Sequence, residues 1–202
     1  MKTSSKVLWI DTATDHLFLA LVIDGDVVGL KSEEGKQNHS VRIVPLIQEL
    51  LSKHQISLKD VSEVVVGIGP GSYTGVRIGV SIAKMIGYLN SIPVKEISTL
   101  ALIASSCEET NVVACVDARR NRGFLGHYCN QDEKLVLIGN ESVDDIDAFT
   151  SMIPKPYSLV SSGIPNLKKL IHSDLFHETP NIHDIVPNYL QVTEAERKRH
   201  EQ

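Results

Sequence analysis

The sequence predicts an α/β fold of two similar lobes made by internal duplication. Three observations carry that prediction. In the first half, short apolar runs rich in β-branched residues alternate with stretches of helical periodicity. "VLWIDTATDHLFLALVI" in the first half is answered by "VVACVDARRNRGFLGHYC" in the second, with Asp11 and Asp117 standing 106 positions apart. Both copies run in the same order: strand, Asp, polar turn, strand. Residues 1–97 are expected to form the first lobe and residues 98–202 the second, with a polar tail from about 193.

The elements can be justified in order. Residues 7–10, 17–23 and 27–30 read as three strands of a meander, separated by "DTATD" and "DGD", with Asp24-Gly25 in the second hairpin turn. Over residues 40–54, Ile43, Val44, Ile47, Leu50 and Leu51 follow helical spacing, and Pro45 predicts a kink or a late start. Residues 64–68 read as a buried strand, 73–89 as a helix, 94–97 as a strand and 98–108 as a helix. In the second half Phe124-Leu125-Gly126 repeats Phe18-Leu19-Ala20, and 135–138 is the third strand of the repeat. A chain of 202 residues leaves the second lobe reduced.

Hydrophobic residues make up 42% and charged residues 22%, as in ordinary globular proteins. A net charge of -5 argues against a nucleic-acid binder acting alone. The apolar run before Asp11 is too short for a signal peptide, and nothing approaches the roughly 18 apolar residues of a membrane span. A cytoplasmic protein without a membrane partner is expected. The cysteines Cys107, Cys115 and Cys129 are odd in number and lack C-x-x-C spacing, which points to reduced thiols.

The stretch "GIGPGSYTGVRIG", residues 67–79, suggests a phosphate cradle but fits neither common motif. It lacks the Gly-Lys-Ser/Thr ending of a Walker A loop, and its glycines miss the dinucleotide spacing. Gly69-Pro70-Gly71 still predicts a tight turn at a helix N-terminus, with Ser72 as its cap. Together with Asp11, Thr12 and Thr14 of the first hairpin turn, Gly69, Gly71 and Ser72 form a candidate weak nucleotide or anion site. Asp11 and Asp117 are equally readable as turn residues bonding their own backbone.

The helix that follows has too many apolar positions for one buried face. Gly71, Gly75, Gly79, Ala83 and Gly87 recur every four residues, and Thr74, Arg77, Ser81, Lys84 and Tyr88 form one narrow polar strip. Ile82 and Ile86 belong to the apolar remainder. Such a helix must be covered twice, and a stripe of small residues admits a second helix closely. The expectation is a partner-binding surface containing Gly71, Gly75, Arg77, Gly79, Ile82, Ala83, Ile86 and Gly87, with Ile43 and Ile47 of the preceding helix. The alternative is that the stripe packs on the chain's own sheet.

Two lobes that each open with strand, Asp, turn and strand resemble the actin, Hsp70 and hexokinase superfamily. "IDTAT", "GPGSYTGVRIG", "STL" at 98–100 and "VDAR" resemble, in order and over nearly the whole chain, the bacterial TsaB (YeaZ) family. That resemblance implies the actin-like (ASKHA) two-lobed fold and a part in making threonylcarbamoyladenosine at position 37 of tRNAs that read codons starting with A. It also implies heterodimer formation with the catalytic paralogue TsaD through the helices of the first lobe, with the ATPase TsaE joining and tRNA reached through the complex. Alone, a homodimer through the same surface is implied. No cofactor of its own is expected, and ATP or ADP would lie at the interface with the partner.

The catalytic paralogue holds a metal with a His-x3-His pair, whereas none of the eight histidines here stands three or four positions from another. No metal site and no catalytic residue are therefore expected, and the chain reads as an accessory subunit. The competing reading is a stand-alone actin-like ATPase or phosphotransferase using Asp11, Thr12 and Asp117. Two departures from the family pattern stand out. Arg120-Asn121-Arg122 follows "DAR" where the family has a small residue and Glu, and Pro187-Asn188-Tyr189-Leu190-Gln191 ends in Gln where the family has Arg. Arg119, Arg120 and Arg122 are readable as tRNA phosphate contacts or as a solvated turn.

Overall fold

The computed structural model describes residues 4–34 and 38–190. β1 (Lys6–Asp11), β2 (His16–Ile23) and β3 (Asp26–Glu34) form the expected antiparallel meander. Asp24 and Gly25 both take positive φ at the β2–β3 turn, 52° and 92°, which matches the right-handed twist of the strands they join. α1 (His39–Lys53) leads to β4 (Glu63–Gly67), which pairs parallel to β1. α2 (Tyr73–Asn90) then leads to β5 (Val94–Ile97), parallel to β4. α1 runs through Pro45 from His39, so the late start does not occur.

The second lobe repeats the opening. β6 (Asn111–Asp117), β7 (Arg122–Gln131) and β8 (Lys134–Asp145) form a second meander, and β9 (Ser158–Val160) adds parallel to β6 as β4 does to β1. Its helices are short: α4 (Ile146–Ser151) and α5 (Leu167–Ile171) stand where the first lobe has α1 and α2. α3 (Thr99–Ser105) connects the lobes and ends three residues before the expected 108.

The period-two alternation of the strands sets the layers. On one face of the first sheet, Leu8, Ile10, Leu19 and Leu21 pack with Val64 and Val66 under α1 and α2. On the other, Trp9, Phe18, Ala20 and Val65 meet α3, and beyond it Val112, Ala114 and Tyr128 of the second sheet. α3 is therefore buried between the sheets. The far face of the second sheet, with Val113, Cys115 and Leu125, carries α4 through Ile146 and Phe149.

The expected boundary at 97/98 needs correction. β10 (Phe176–Glu178) pairs antiparallel with β5, giving the first sheet the order β10-β5-β4-β1-β2-β3 beside a second sheet β8-β7-β6-β9. Ile182 and Ile185 then pack into the first core beside α2. Residues 176–185 thus complete the first lobe, because β5 would otherwise leave an unpaired edge and α2 an uncovered flank. The tail expected from 193 lies outside the described residues.

Candidate partner face and interlobe cleft

The glycines of the 67–79 stretch are packed against the chain's own first turn. The Asp11 carboxylate lies where a side chain on Gly67 would be, and the Ala13 and Thr12 carbonyl oxygens lie where side chains on Gly71 and Gly75 would be. A Cβ on Gly79 would stand 2.7 Å from the Thr12 hydroxyl. Two turns further, a Cβ on Gly87 would meet Val94 and Ile182 at 2.5 Å. Gly75, Gly79, Ala83 and Gly87 are all buried. The small-residue stripe therefore faces inward, correcting the expectation that it admits a partner. Its physical reason is the close approach of α2 to the Asp11–Ala13 backbone, which only Gly permits. Ile43 is buried in the same core and presents no outer surface, whereas Ile47 and Ile86, though mostly buried, reach the groove between α1 and α2, as does Ile82.

The hydrogen bonds of this junction are satisfied internally. The Ala13 N–H donates to Asp11 Oδ1 at 2.6 Å, the Thr12 hydroxyl donates to the Gly75 carbonyl at 2.6 Å, and the Ser72 N–H donates to the Ala13 carbonyl at 2.6 Å. Ser72 caps α2 by accepting from the Gly75 N–H, as expected. The Gly69 N–H donates to the Thr99 hydroxyl, which in turn serves the Asp11 carboxyl. Burial pushes that carboxyl up to about 6, opposed by the Ala13 N–H and by Thr99. Asp11, Thr12, Thr14, Gly69, Gly71 and Ser72 are brought together, but Asp11 and Thr12 are buried and their donors and acceptors engaged. As it stands, the first turn does not fit a phosphate.

Asp117 ends β6 as Asp11 ends β1, yet it is exposed and accepts from the Arg119 N–H at 2.8 Å, the turn role weighed for it. Arg119, Arg120 and Asn121 all take positive φ, so this loop turns tightly without glycine. Between the two Asp turns opens a cleft of about 700 Å³, lined among others by Thr14, Gly71, Ser72, Asp117 and Arg119. Arg122 points away and donates to the Val143 carbonyl.

The outer surface of α2 presents a different set of residues. Ile78, Ile82, Met85 and Leu89 recur at four, three and four positions, and Met85 and Leu89 are 51% and 70% exposed. Across from them on α1, Val41 and Val44 are exposed as well. A groove of about 320 Å³ lies between the helices, lined by Val44, Leu51, Ile82 and Met85, and a shallower one continues through Ile82 to Tyr73. The sequence carries this stripe in that four-three-four spacing, as part of the surplus apolar face, and Ile82 belongs to the expected partner surface. Ile78, Met85 and Leu89 do not, because the expectation centres on the glycine row of the opposite face.

Arg77 is exposed, as its place on the polar strip implied, but it is not solitary. Its Nε donates to the Tyr189 hydroxyl at 2.7 Å, and its guanidinium lies 4.1 Å over the Tyr73 ring, which stacks on Tyr189. Lys84 donates to the His183 and Ile185 carbonyls at 2.8 and 2.9 Å. The polar strip thus fastens the returning C-terminal segment.

Among the described residues, no helix is long and apolar enough to cross a membrane, and no three His, Cys, Asp or Glu side chains are grouped to hold a metal ion. The family model described as TsaD, tRNA N6-adenosine threonylcarbamoyltransferase, matches residues 25–196. A Bacillus subtilis protein named tRNA threonylcarbamoyladenosine biosynthesis protein TsaB is 28% identical over 95% of this chain and 96% of its own length. The Escherichia coli protein of the same name is 36% identical over 68% of this chain and 60% of its own length. The solved structure of YeaZ from Pseudomonas aeruginosa superposes with a TM-score of 0.77 at 24% identity, over 92% of this chain and all of that one. The duplicated sheets are those of an actin-like ASKHA fold, and the chain belongs to the TsaD family, as a homologue of the TsaB (YeaZ) proteins.

Proposed function

We propose that the chain is a noncatalytic scaffold and activating subunit in the formation of threonylcarbamoyladenosine at position 37 of tRNA, and that it acts by docking a TsaD-type catalytic paralogue on α1 and α2. The observation that carries this reading is the apolar face on which Val41, Val44, Met85 and Leu89 stand exposed beside the half-buried Ile78 and Ile82, with the groove between α1 and α2 open among them. The names of the Bacillus and Escherichia relatives supply the pathway. A noncatalytic role is supported by the histidine spacing, which lacks the paralogue's metal-binding pair.

In this reading a TsaE-type ATPase joins the pair, tRNA is reached through the complex, and any ATP or ADP lies at the shared interface. The complex works in the cytoplasm on tRNAs that read codons starting with A. Without its partner the chain covers the same stripe with a second copy. The test is co-purification with a TsaD-type protein. A chain that forms no complex with it, and whose absence leaves the tRNA modification intact, would overturn the reading.

The cleft between the Asp turns favours one competing reading, a stand-alone actin-like enzyme that binds ATP against Thr14, Ser72 and Arg119. Titration of the isolated chain with Mg-ATP separates the two. Tight binding with turnover, lost when the exposed Arg119 that lines the cleft is changed in Arg119→Ala, belongs to the enzyme, while affinity that appears only with the partner belongs to the scaffold.

A further inference from the structure

On the far side of the interlobe junction from the α1–α2 face lies a second cavity, of about 480 Å³. Its walls come from elements distant in sequence: Ile68 after β4, Ala101 of α3, Leu135 and Leu137 of β8, and Leu175 and Leu190 of the returning segment. One end is polar. There Tyr128, wholly buried on β7, donates its hydroxyl to Glu141 Oε1 of β8, and Ser98 also bonds the Glu141 carboxyl. His177 of β10 is near enough for its charge to favour the ionised carboxylate, though burial wins and pushes Glu141 above its ordinary value. Lys134, Asn140, Ser173, Asp174 and Asn188 add further polar groups to the lining.

A tyrosine and a glutamate bonded across two strands could serve packing alone. Packing would close the space in front of the carboxylate, however, and here it stays open with apolar walls behind it. A carboxylate drawn from water into such surroundings is unfavourable unless it meets a cation or several donors. Tyr128 and Ser98 supply two hydroxyls to it, and among the described residues no lysine or arginine is bonded to it. An apolar wall facing convergent polar groups, in a cavity of this size, suits a small molecule with one charged end and one apolar arm.

We propose that this cavity binds a small amine, with the ammonium held by Glu141 between Tyr128 and Ser98 and the apolar arm lying on Leu135, Leu137, Leu175 and Leu190. The site is separate from the α1–α2 face and independent of the partner reading. It draws on both lobes, so a bound amine holds β8 against the segment that carries β10.

The experiment uses the full chain, with its Leu and Ile methyl groups followed by NMR during titration with n-butylammonium, n-butanol or n-butyrate. The expected result is shifts at Ile68, Leu135, Leu137, Leu175 and Leu190, with butylammonium binding at least about tenfold tighter than butanol and butyrate not binding, as one charge-assisted contact provides. Glu141→Gln keeps the size of the side chain and should lower butylammonium affinity to that of butanol. Equal binding of the amine and the alcohol by the native chain, shifts confined to other surfaces, or an undiminished amine affinity in Glu141→Gln would each overturn the proposal. If Glu141→Gln does not fold, the three-ligand comparison on the native chain decides alone.

Discussion

Arg77 Nε donates to the Tyr189 hydroxyl across 2.7 Å, joining α2 to a residue 112 positions further along the chain. The same guanidinium lies over the Tyr73 ring. Arg77→Ala removes both contacts, whereas Tyr189→Phe removes the hydrogen bond and keeps the stack. Hydrogen exchange at the Asn188 N–H, which donates to the Ile68 carbonyl at 2.7 Å, should quicken several-fold in Arg77→Ala and less in Tyr189→Phe. Unchanged exchange in both variants would show that the segment is held by other contacts.

Gly79→Leu should destabilise the isolated chain. Its Cβ would press on the Thr12 hydroxyl and its branch on Ile10, and overpacking of that kind costs about 1–3 kcal/mol, a fall in melting temperature of roughly 2–12 °C for a chain of this size. The gain in helix propensity over Gly, about 1 kcal/mol or less, does not offset this. A variant that melts like the native chain would mean that α2 shifts outward at no cost.

Met85→Asp with Leu89→Asp tests the opposite face of the same helix. Both side chains are more than half exposed, so the melting temperature of a monomeric sample should change little. Binding to a TsaD-type partner should weaken by about 10–100-fold or more, since charges would be buried against apolar surface. Native affinity from this double variant, measured by calorimetry, would move the interface elsewhere.

Asp11 makes stability depend on pH in a stated direction. Its carboxyl titrates near 3.8 when unfolded and is raised to about 6 in the fold, so the native state holds the proton more tightly. Below about pH 4 both states are protonated and no penalty exists. From there to about pH 6 the native state loses stability as pH rises, and above that the whole penalty, about 3 kcal/mol, is present. Asp11→Asn should therefore gain on the native chain between pH 4 and pH 8, as read from urea unfolding at both values. A difference between the two proteins that is the same at both pH values would rule this out.

The arginine cluster of the second turn is tested on the assembled complex. If Arg119, Arg120 and Arg122 contact tRNA phosphates, replacing all three by alanine should flatten the salt dependence of tRNA binding by up to about three units of slope. Since Arg122 already donates to the Val143 carbonyl, the larger share should fall to Arg119 and Arg120. An unchanged slope would leave a solvated turn.

Local signals made much of this fold legible. Short apolar runs marked β1, β2 and β4, a long periodic stretch marked α2, and the repeated Asp turn marked the duplication. β10 was not legible, because three residues carry almost no pattern and its pairing with β5 spans nearly 80 positions. Nor was the direction of the glycine stripe. A row of small residues announces that another backbone comes close, but it does not say which one, and here the Asp11–Ala13 turn takes the place expected for a partner. The Glu141–Tyr128 cavity had no motif, since its walls are assembled from segments distant in sequence by the packing of the two sheets.

The return of β10 and the residues after it also governs how the protein comes into being on the ribosome. Synthesis proceeds from the N-terminus, yet the first sheet lacks its edge strand until residue 178 has emerged, and Lys84 lacks its acceptors until residues 183 and 185 have followed. The first half of the nascent chain is thus left waiting, with β5 open at the edge and one flank of α2 bare, while the whole second lobe is translated. Apolar surface left bare in that interval is open to wrong pairings, and it closes only when the last strand pairs with β5.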